Sequence, residues 1–195
     1  MQERSSAKPL PSRPLGQRAG KESASRAPRG PFLLLIGAIT IPIIVLDQAS
    51  KLFVKAHMAL YESIALVPNY LDITYTQNPG AAFSILAEAP PWARLAFLLS
   101  MSCTAVIVLL VLIARTERVS INSIAFALIL AGATGNLIDR ATRGGLVIDF
   151  VRAHYYDLNY PVFNVADSAI SIGIALIVLA SLFGGDAAPT ANRSS

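Results

Sequence analysis

Four apolar segments, each long enough to cross a lipid bilayer as a helix, constrain this chain more than any other feature. About 20 consecutive apolar residues are needed to span the hydrocarbon core of a membrane. Hydrophobic residues make up 54% of the 195 residues and charged residues only 14%, a composition that excludes an ordinary soluble domain. The sequence therefore predicts an α-helical membrane protein with four transmembrane helices, at Phe32 to Val54, Leu95 to Ala114, Val119 to Ile138 and Val162 to Phe183.

The basic residues of the chain are concentrated at its N-terminus, where residues 1–31 hold seven Arg and Lys against two Glu. Such segments remain on the cytoplasmic side, where anionic lipid attracts them, so we interpret the basicity as a topology signal and expect no nucleic-acid binding. Residues 1–31 also lack apolar periodicity, which predicts a disordered cytoplasmic extension before a membrane domain at 32–184 and a cytoplasmic tail at 185–195. Arg115 and Arg118, in the short link between helices two and three, favour the same orientation with both termini cytoplasmic.

Helix direction places polar side chains from distant parts of the chain at one depth. With both termini inside, helices one and three run outward and helix four returns inward. The loop between helices three and four adds Asp149 at the outer level. Ionisable groups within a membrane are costly, so they indicate a functional site. The polar residues near the outer helix ends are Asp47 and Lys51 on helix one, Asn136, Asp139 and Arg140 on helix three, and Asn164 and Asp167 on helix four.

The segment between helices one and two is too polar to cross the membrane and contains a strand pattern. Apolar and polar side chains alternate along LDITYTQN, residues 71–78. A period of two is typical of a half-buried β-strand. The sequence then continues into NPGAAF, which combines turn-forming and small residues. These features predict a small extracytoplasmic β-region that lies over the helix ends.

Two charged pairs among these residues also have plain structural explanations. Asp47 and Lys51 are four residues apart, so they could form an ion pair whose side chains extend to the interface at a helix end. Asp139 and Arg140 could form a pair at the surface. Asn136 favours an interior site, because an amide in an apolar helix requires a hydrogen-bonding partner inside the bundle. A structural and a functional role for Asp47 and Lys51 are equally supported at this point.

Small residues recur every four positions along helix three. A ridge of small side chains lets another helix approach closely. We therefore expect this face of helix three to pack inside the bundle. The residues of the ridge are Ser123, Ala127, Ala131 and Gly135.

Helix four carries a polar stripe on an otherwise apolar helix, and we expect the stripe to face the bundle interior. Its residues are Asn164, Asp167, Ser168 and Ser171. A buried carboxyl group retains its proton more readily, and a second carboxylate nearby strengthens that effect. Two carboxyl groups that share a proton can hydrolyse a peptide bond, because one activates water while the other protonates the substrate. Spacing alone leaves Asp139 and Asp149 both open as partners of Asp167.

The sequence has few of the residues and motifs that other hydrolytic mechanisms need. The chain has two His residues and no HExxH motif, which disfavours a zinc hydrolase. It has no G-x-S-x-G motif, and its single cysteine, Cys103, lies in an apolar run that disfavours a thiolate nucleophile. Two other function classes remain open. One is a small transporter, which would require polar residues through the full depth of the bundle. The other is an assembly subunit, which would use the small-residue ridge as its contact surface but would leave the aspartates unexplained.

Five short motifs, when taken together, resemble bacterial lipoprotein signal peptidase, also called signal peptidase II. They are DQASK (47–51), NPGAAF (78–83), GNLIDR (135–140), GLVIDF (145–150) and FNVAD (163–167), and the resemblance covers about residues 32 to 184. The resemblance implies that Asp149 and Asp167 are the catalytic pair of an aspartyl endopeptidase. It also implies a set of substrate-binding or supporting residues, namely Asp47, Lys51, Asn78, Asn136, Asp139, Arg140 and Asn164.

The same resemblance implies the substrate and the location of the reaction. The enzyme would remove the signal peptide of a diacylglyceryl-modified prolipoprotein, cutting just before the lipidated cysteine of the lipobox at the outer face of the cytoplasmic (inner) membrane. It implies no metal and no organic cofactor. A diacylated cysteine is held among membrane lipids by its acyl chains, at the depth where the carboxyl groups are expected. We expect a monomer, because one bundle can enclose the whole site.

Overall fold

The computed structural model describes residues 29–80 and 90–183. Within these residues, four helices are long and apolar enough to cross a membrane, which confirms the predicted fold class: Gly30–His57, Pro91–Ala114, Ile121–Thr142 and Val165–Phe183. The predicted cytoplasmic extension lies outside the described residues except for its last three positions, which are helical. The predicted C-terminal tail lies wholly outside them, as do residues 81–83 of the NPGAAF motif.

The first membrane-length helix changes its hydrogen-bonding pattern along its length. It consists of α1 (Arg29–Leu35), a π-helical turn (Ile36–Thr40) and α2 (Ile41–His57). The N–H of Ile41 donates to the carbonyl of Ile36, and Pro42, which follows, has no N–H to donate. The hydroxyl of the buried Thr40 donates to the carbonyl of Ala127 at 3.2 Å. The turn is therefore tied to the helix that contains Ala127.

The other three membrane-length helices are α3 (Pro91–Ala114), α4 (Ile121–Thr142) and α5 (Val165–Phe183). Helix α4 is central, since it packs against α2, α3 and α5. A reciprocal cap fixes its start: the Ser120 hydroxyl accepts the N–H of Ser123 at 3.2 Å, and the Ser123 hydroxyl accepts the N–H of Ser120 at 2.8 Å. Such a cap satisfies two N–H groups that would otherwise lack a partner at the helix end.

The predicted small-residue ridge of α4 is buried, as expected. The closest approach involves its neighbour Gly132, where a Cβ atom would lie 2.2 Å from the carbonyl oxygen of Ala166 on α5. No side chain fits in that space, so the backbones of α4 and α5 are in direct contact. The buried residues of the ridge are Ser123, Ala127, Ala131 and Gly135.

An antiparallel sheet lies at one end of the helix bundle, here called the sheet end. Its strands, in spatial order, are β1 (Ser63–Val67), β2 (Leu71–Asn78), β3 (Val147–Tyr155) and β4 (Leu158–Asn159). Strands β1 and β2 connect α2 to α3, whereas β3 and β4 connect α4 to α5. Val54 of α2 packs in a buried cluster with Tyr75, Ile148 and Phe150 of the sheet. The sheet thus joins two distant parts of the chain above the helix ends.

The sheet is larger than the sequence predicted. Strand β2 coincides with the predicted strand at 71–78. The connection between α4 and α5, predicted as a loop that carries Asp149, is instead strand β3, with Asp149 opposite Thr76 of β2. Residues 147–150 are all buried, so they lack the alternation of apolar and polar side chains on which the prediction depended.

Helix α5 begins three residues later than predicted because the chain before it is still paired with the sheet. The N–H of Phe163 donates to the carbonyl of Val151 at 3.0 Å, and the N–H of Val151 donates to the carbonyl of Phe163 at 2.8 Å. Asn164 therefore lies between a sheet bridge and the first turn of α5.

Candidate active site

Asp149 and Asp167 meet at the sheet end, on two elements that are joined by Asn164. Asp149 projects from β3, and Asp167 lies in the first turn of α5. The side-chain amide of Asn164 donates to Asp149 Oδ1 at 2.6 Å. Its Oδ1 accepts the backbone N–H of Asp167 at 2.9 Å, while its own N–H donates to Asp167 Oδ2 at 3.2 Å. One asparagine thus caps α5 and holds both carboxyl-bearing residues.

Two further amides hold the carboxyl groups from other elements. Asn78, at the end of β2, donates to Asp149 Oδ2 at 3.0 Å. Asn136 of α4 donates to Asp167 Oδ1 at 2.8 Å, and its own oxygen accepts from Lys51 at 3.1 Å. Each carboxyl oxygen of this pair therefore receives a hydrogen bond from the protein, which fixes the orientation of both groups. Asn136 thus has the hydrogen-bonding partners inside the bundle that were expected for an amide in an apolar helix.

Burial raises the pKa of Asp149 from 3.8 to about 6. The hydrogen bonds from Asn78 and Asn164 oppose this rise, and the negative charge of Asp167 adds to it. The carboxyl group is 2% exposed, so water does little to stabilise its ionised form. A carboxyl group that keeps its proton to nearly neutral pH, beside a second carboxyl group, can act as a proton donor.

Arg140 faces the carboxyl pair and does not form the surface ion pair with Asp139 that was one expectation from sequence. Its guanidinium group is attracted by Asp167 and Asp149, and more weakly by Asp139. Its buried Nε has no hydrogen-bond partner among the residues that the structure describes. A buried donor without a partner is costly, so this Nε marks a place where a partner from outside the described residues would be favourable.

Asp47, Lys51 and Asp139 form a fully buried ionic cluster, each with 0% exposure. The Lys51 ammonium lies 2.8 Å from Asp47 Oδ2 and 3.0 Å from Asp139 Oδ2. The expectation of an Asp47–Lys51 pair is confirmed, but its side chains do not extend to the interface, because the pair lies inside the bundle between α2 and α4. Asp139 is ion-paired with both Lys51 and Arg143, whereas the side chains that bond Asp149 are the neutral amides of Asn78 and Asn164. Asp139 is therefore a poorer candidate than Asp149 for proton transfer with Asp167.

Two residues of this cluster were missed by sequence reasoning. The amide nitrogen of Gln48 lies 3.0 Å from Asp139 Oδ1 and 3.1 Å from Asp47 Oδ2, and Arg143 forms an ion pair with Asp139. Arg143 follows Asp139 by four residues on one helix, so its contact could have been predicted from spacing. Gln48 lies on α2 and contacts Asp139 on α4, and no feature of the sequence indicates that contact between two helices.

A groove of about 240 Å³ opens beside Asp167. Ser171, expected to face the interior, is exposed and lines this groove with Ser168. The polar stripe of α5 therefore turns from the bundle interior at Asn164 to the groove at Ser171. A larger cavity of about 370 Å³ lies at the β3–β4 hairpin and has neither carboxyl group in its wall. The other residues that line the groove are Tyr160, Phe163, Asp167 and Ile172.

Comparison with known proteins relates most of the chain to one family. The family model of signal peptidase (SPase) II matches residues 39–183. The lipoprotein signal peptidase of Photorhabdus laumondii is 40% identical over 148 residues, which are 76% of this chain and 87% of that protein. The corresponding protein of Yersinia enterocolitica is 40% identical over 140 residues, which are 72% of this chain and 82% of that protein.

A solved structure agrees with these sequence comparisons. A bacterial membrane enzyme, solved at 2.3 Å resolution, is 29% identical and superposes with a TM-score of 0.66 over 84% of this chain and 92% of that chain. The comparisons agree with the four membrane helices and with a bacterial membrane as the setting. The chain belongs to the signal peptidase II family.

Proposed function

We propose that this protein is an aspartyl endopeptidase that removes the signal peptide from diacylglyceryl-modified prolipoproteins, with Asp149 and Asp167 as its catalytic pair. The observation that carries the proposal is the bridge formed by Asn164, which lies 2.6 Å from the Asp149 carboxyl group and 2.9 Å from the backbone nitrogen of Asp167. Membership of the family supplies the reaction class, and this bridge supports the assignment of the two residues.

In the proposed mechanism the pair holds one proton between its two carboxyl groups. The ionised member removes a proton from water, whose oxygen attacks the carbonyl carbon, while the protonated member donates to the carbonyl oxygen. The tetrahedral intermediate collapses, the C–N bond breaks and a proton passes to the leaving amine. One water molecule is consumed, and the products are a carboxylic acid on the signal peptide and an amine on the lipidated cysteine. The raised pKa of Asp149 supports such sharing of a proton.

Arg140 binds the substrate backbone in this proposal. Its Nε has no partner among the described residues and lies in a buried position beside the pair. Because this Nε is inaccessible to solvent, the guanidinium group shifts when a carbonyl oxygen of the bound substrate accepts from it and fixes the scissile bond with respect to the carboxyl groups. Orientation of this kind contributes to catalysis because it makes the attack effectively unimolecular.

The substrate reaches the pair from the membrane. The acyl chains of the lipidated cysteine hold the scissile bond at the membrane surface, and the groove beside Asp167 has the apolar side chains of Phe163 and Ile172 in its wall. The basic N-terminal residues favour cytoplasmic termini, so the sheet end faces the extracytoplasmic side of the inner membrane. The protein acts as a monomer and without a cofactor, since one chain supplies every polar group used.

A gel-shift cleavage assay tests the proposal. A lipobox precursor modified with diacylglycerol is incubated in detergent with the intact protein, Asp149→Asn or Asp167→Asn, each verified as folded by size-exclusion chromatography. We expect cleavage immediately before the lipidated cysteine by the intact protein and a loss of at least about a thousand-fold in both variants.

Asp157→Asn is the matched control, since Asp157 is an exposed aspartate on the β3–β4 hairpin whose side chain is not part of the site. Undiminished cleavage by Asp149→Asn or by Asp167→Asn would remove that residue from the catalytic pair, and Asp139 would be tested next. No cleavage by the intact protein would favour a transporter or an assembly subunit.

A further inference from the structure

The backbone N–H immediately before each carboxyl-bearing residue of the pair is held by a different buried aspartate. Asp47 of α2 accepts the N–H of Ala166, the residue before Asp167, at 2.9 Å. Asp139 of α4 accepts the N–H of Ile148, the residue before Asp149, at 3.1 Å. The two aspartates, here called the anchor aspartates, thus fix the backbone positions from which the pair projects.

Two side chains of α2 hold the anchor aspartates together. Lys51 contacts Oδ2 of both, at 2.8 Å from Asp47 and 3.0 Å from Asp139. Gln48 also contacts both: its amide nitrogen lies 3.1 Å from Asp47 Oδ2, 3.0 Å from Asp139 Oδ1 and 3.1 Å from the Gly135 carbonyl oxygen. One lysine and one glutamine of α2 therefore add a second link between β3 and α5, beside the one formed by Asn164 and the Val151–Phe163 bridge.

We propose that Gln48 is a positioning residue, whose amide bridges the anchor aspartates and thereby sets the separation of the Asp149 and Asp167 carboxyl groups. The inference rests on the proposed function, because it assumes that this separation governs peptide hydrolysis. Within the described part of the chain the Gln48 amide donates to Asp47, Asp139 and the Gly135 carbonyl and to neither carboxyl group of the pair, so it acts through Asp47 and Asp139.

Gln48 and Lys51 differ in how much of the fold depends on them. Lys51 neutralises two fully buried carboxylates, and its removal leaves uncompensated charge in the bundle. Gln48 is neutral and only partly buried, so its removal preserves the charge balance of the cluster. Its removal takes away one of the two donors to Asp139 Oδ1, the other being Arg143, and it takes away the link from Asp139 to Asp47 through the amide. Asp139 and the Ile148 N–H that it holds are then freer to move relative to α2.

The separation of the Asp149 and Asp167 carboxyl groups is sensitive to the position of β3. Asp149 lies directly after Ile148 on β3, and both residues lie opposite β2. The N–H of Ile148 donates to Asp139, so a shift of Asp139 moves Ile148 and with it the Asp149 carboxyl group relative to Asp167. A misplacement of about 1 Å in a catalytic constellation can reduce the rate roughly a hundred-fold. Substrate binding depends less on this separation, because it uses the groove and the acyl chains.

The test compares Gln48→Met, which keeps the size of the side chain and removes its donors, with Gln48→Asn, whose shorter amide cannot bridge both aspartates. Ser50→Ala is the matched control, since the Ser50 hydroxyl bonds only within its own helix, to the Asp47 carbonyl at 2.9 Å. Steady-state kcat and KM are measured with the diacylglyceryl-modified precursor and normalised to the folded fraction. Hydrogen exchange is measured by mass spectrometry on peptides that contain Ile148 or Ala166.

We expect kcat to fall about ten- to a hundred-fold in both variants with KM changed less than about three-fold, and exchange to accelerate at Ile148. Ser50→Ala should leave kcat, KM and exchange unchanged. Normal kcat in the folded fraction of either variant, or unaltered exchange at Ile148, overturns the inference. Failure of the proposed function is distinct, because it shows as full activity in Asp149→Asn or Asp167→Asn and leaves the exchange measurement interpretable.

Discussion

The side-chain amide of Asn164 lies 2.6 Å from Asp149 Oδ1, the shortest of the hydrogen bonds described above for the carboxyl pair. The same side chain caps α5 through the N–H of Asp167. Asn164 therefore has two separable jobs: it stabilises a helix end, and it orients the carboxyl group of Asp149. A substitution that keeps the first job and removes the second can tell them apart.

Asn164→Ser is such a substitution. A serine oxygen still accepts the N–H of Asp167, so the cap is retained, but the donor to Asp149 Oδ1 is lost and Asn78 alone still donates to that carboxyl group. We expect kcat to fall roughly a hundred-fold in this variant, because the carboxyl group loses one of the two amides that fix its orientation. Asn164→Ala removes the cap as well and should lower the free energy of unfolding by a further amount of about 0.5 to 2 kcal/mol.

Cleavage assays and thermal unfolding in detergent measure the two effects separately. Asn159→Ala is the control, since Asn159 is an exposed asparagine of β4. Equal activity of Asn164→Ser and the intact protein would show that Asn164 serves only as a cap.

The raised pKa of Asp149 predicts a specific pH dependence of stability. Its folded-state pKa of about 6 lies above the ordinary aspartate value of 3.8, so the folded protein binds more protons than the unfolded chain between these values. Stability from this group is therefore fully present below about pH 4 and is lost as the pH rises to about 6. The linked free energy is roughly 3 kcal/mol.

Asp149→Asn removes this dependence because an amide does not titrate. We expect the difference in unfolding midpoint between pH 4 and pH 7 to shift in the variant, with stability falling less as the pH rises. The constant loss of one hydrogen bond cancels in this difference. Identical pH profiles for the variant and the intact protein would show that Asp149 does not titrate in this range.

How much of the site could be predicted from sequence is clearest for Asp139 and Asp149. Helix periodicity placed Asn136, Asp139 and Arg140 near one helix end, and the structure confirms that all three reach the same region. The spacing of residues gave no means of choosing between the two aspartates, because the choice depends on contacts across helices. Asp139 bonds Lys51 of α2 and the backbone of Ile148, and neither contact leaves a trace in the local sequence.

Strands β2 and β3 differ in how well they could be predicted from sequence, and the reason is again a contact between distant parts of the chain. Residues 71–78 alternate between apolar and polar side chains and were predicted as a strand, whereas 147–150 are buried throughout and resemble a short apolar segment of any kind. Recognition of the second strand required its partner, β2, which is separated from it by about 70 residues and by two membrane helices. Four-helix topology follows from local hydropathy, but the sheet that carries Asp149 follows from long-range pairing.

Gly135 is predicted to be intolerant of even the smallest side chain. A Cβ atom there would lie 2.5 Å from Asp47 Oδ2 and 3.3 Å from the Ala166 Cβ. Gly135→Ala must therefore displace the carboxylate that holds the N–H of Ala166, and we expect it to cost about 1 to 3 kcal/mol of stability and to reduce cleavage. Gly37→Ala is the control, since a Cβ atom at Gly37 meets nothing within 4 Å. Equal thermal unfolding midpoints for the two variants would contradict the prediction.

The buried ionic cluster predicts that two substitutions are tolerated better than one. Lys51→Met leaves the buried Asp47 and Asp139 with Arg143 as the only remaining cation of the cluster described here, and the loss of one partner from a buried ionic group costs about 3 to 5 kcal/mol. Adding Asp47→Asn restores the balance, because Asp139 and Arg143 then remain as a matched pair. We expect the double variant to unfold at a higher temperature than Lys51→Met alone, a non-additivity typical of residues in one network.

Lys55→Met, on an exposed position of the same helix, should change stability by less than about 0.5 kcal/mol. A double variant that is less stable than Lys51→Met would mean that the N–H of Ala166 requires a charged acceptor, and that the anchoring of α5 by Asp47 outweighs the charge balance of the cluster.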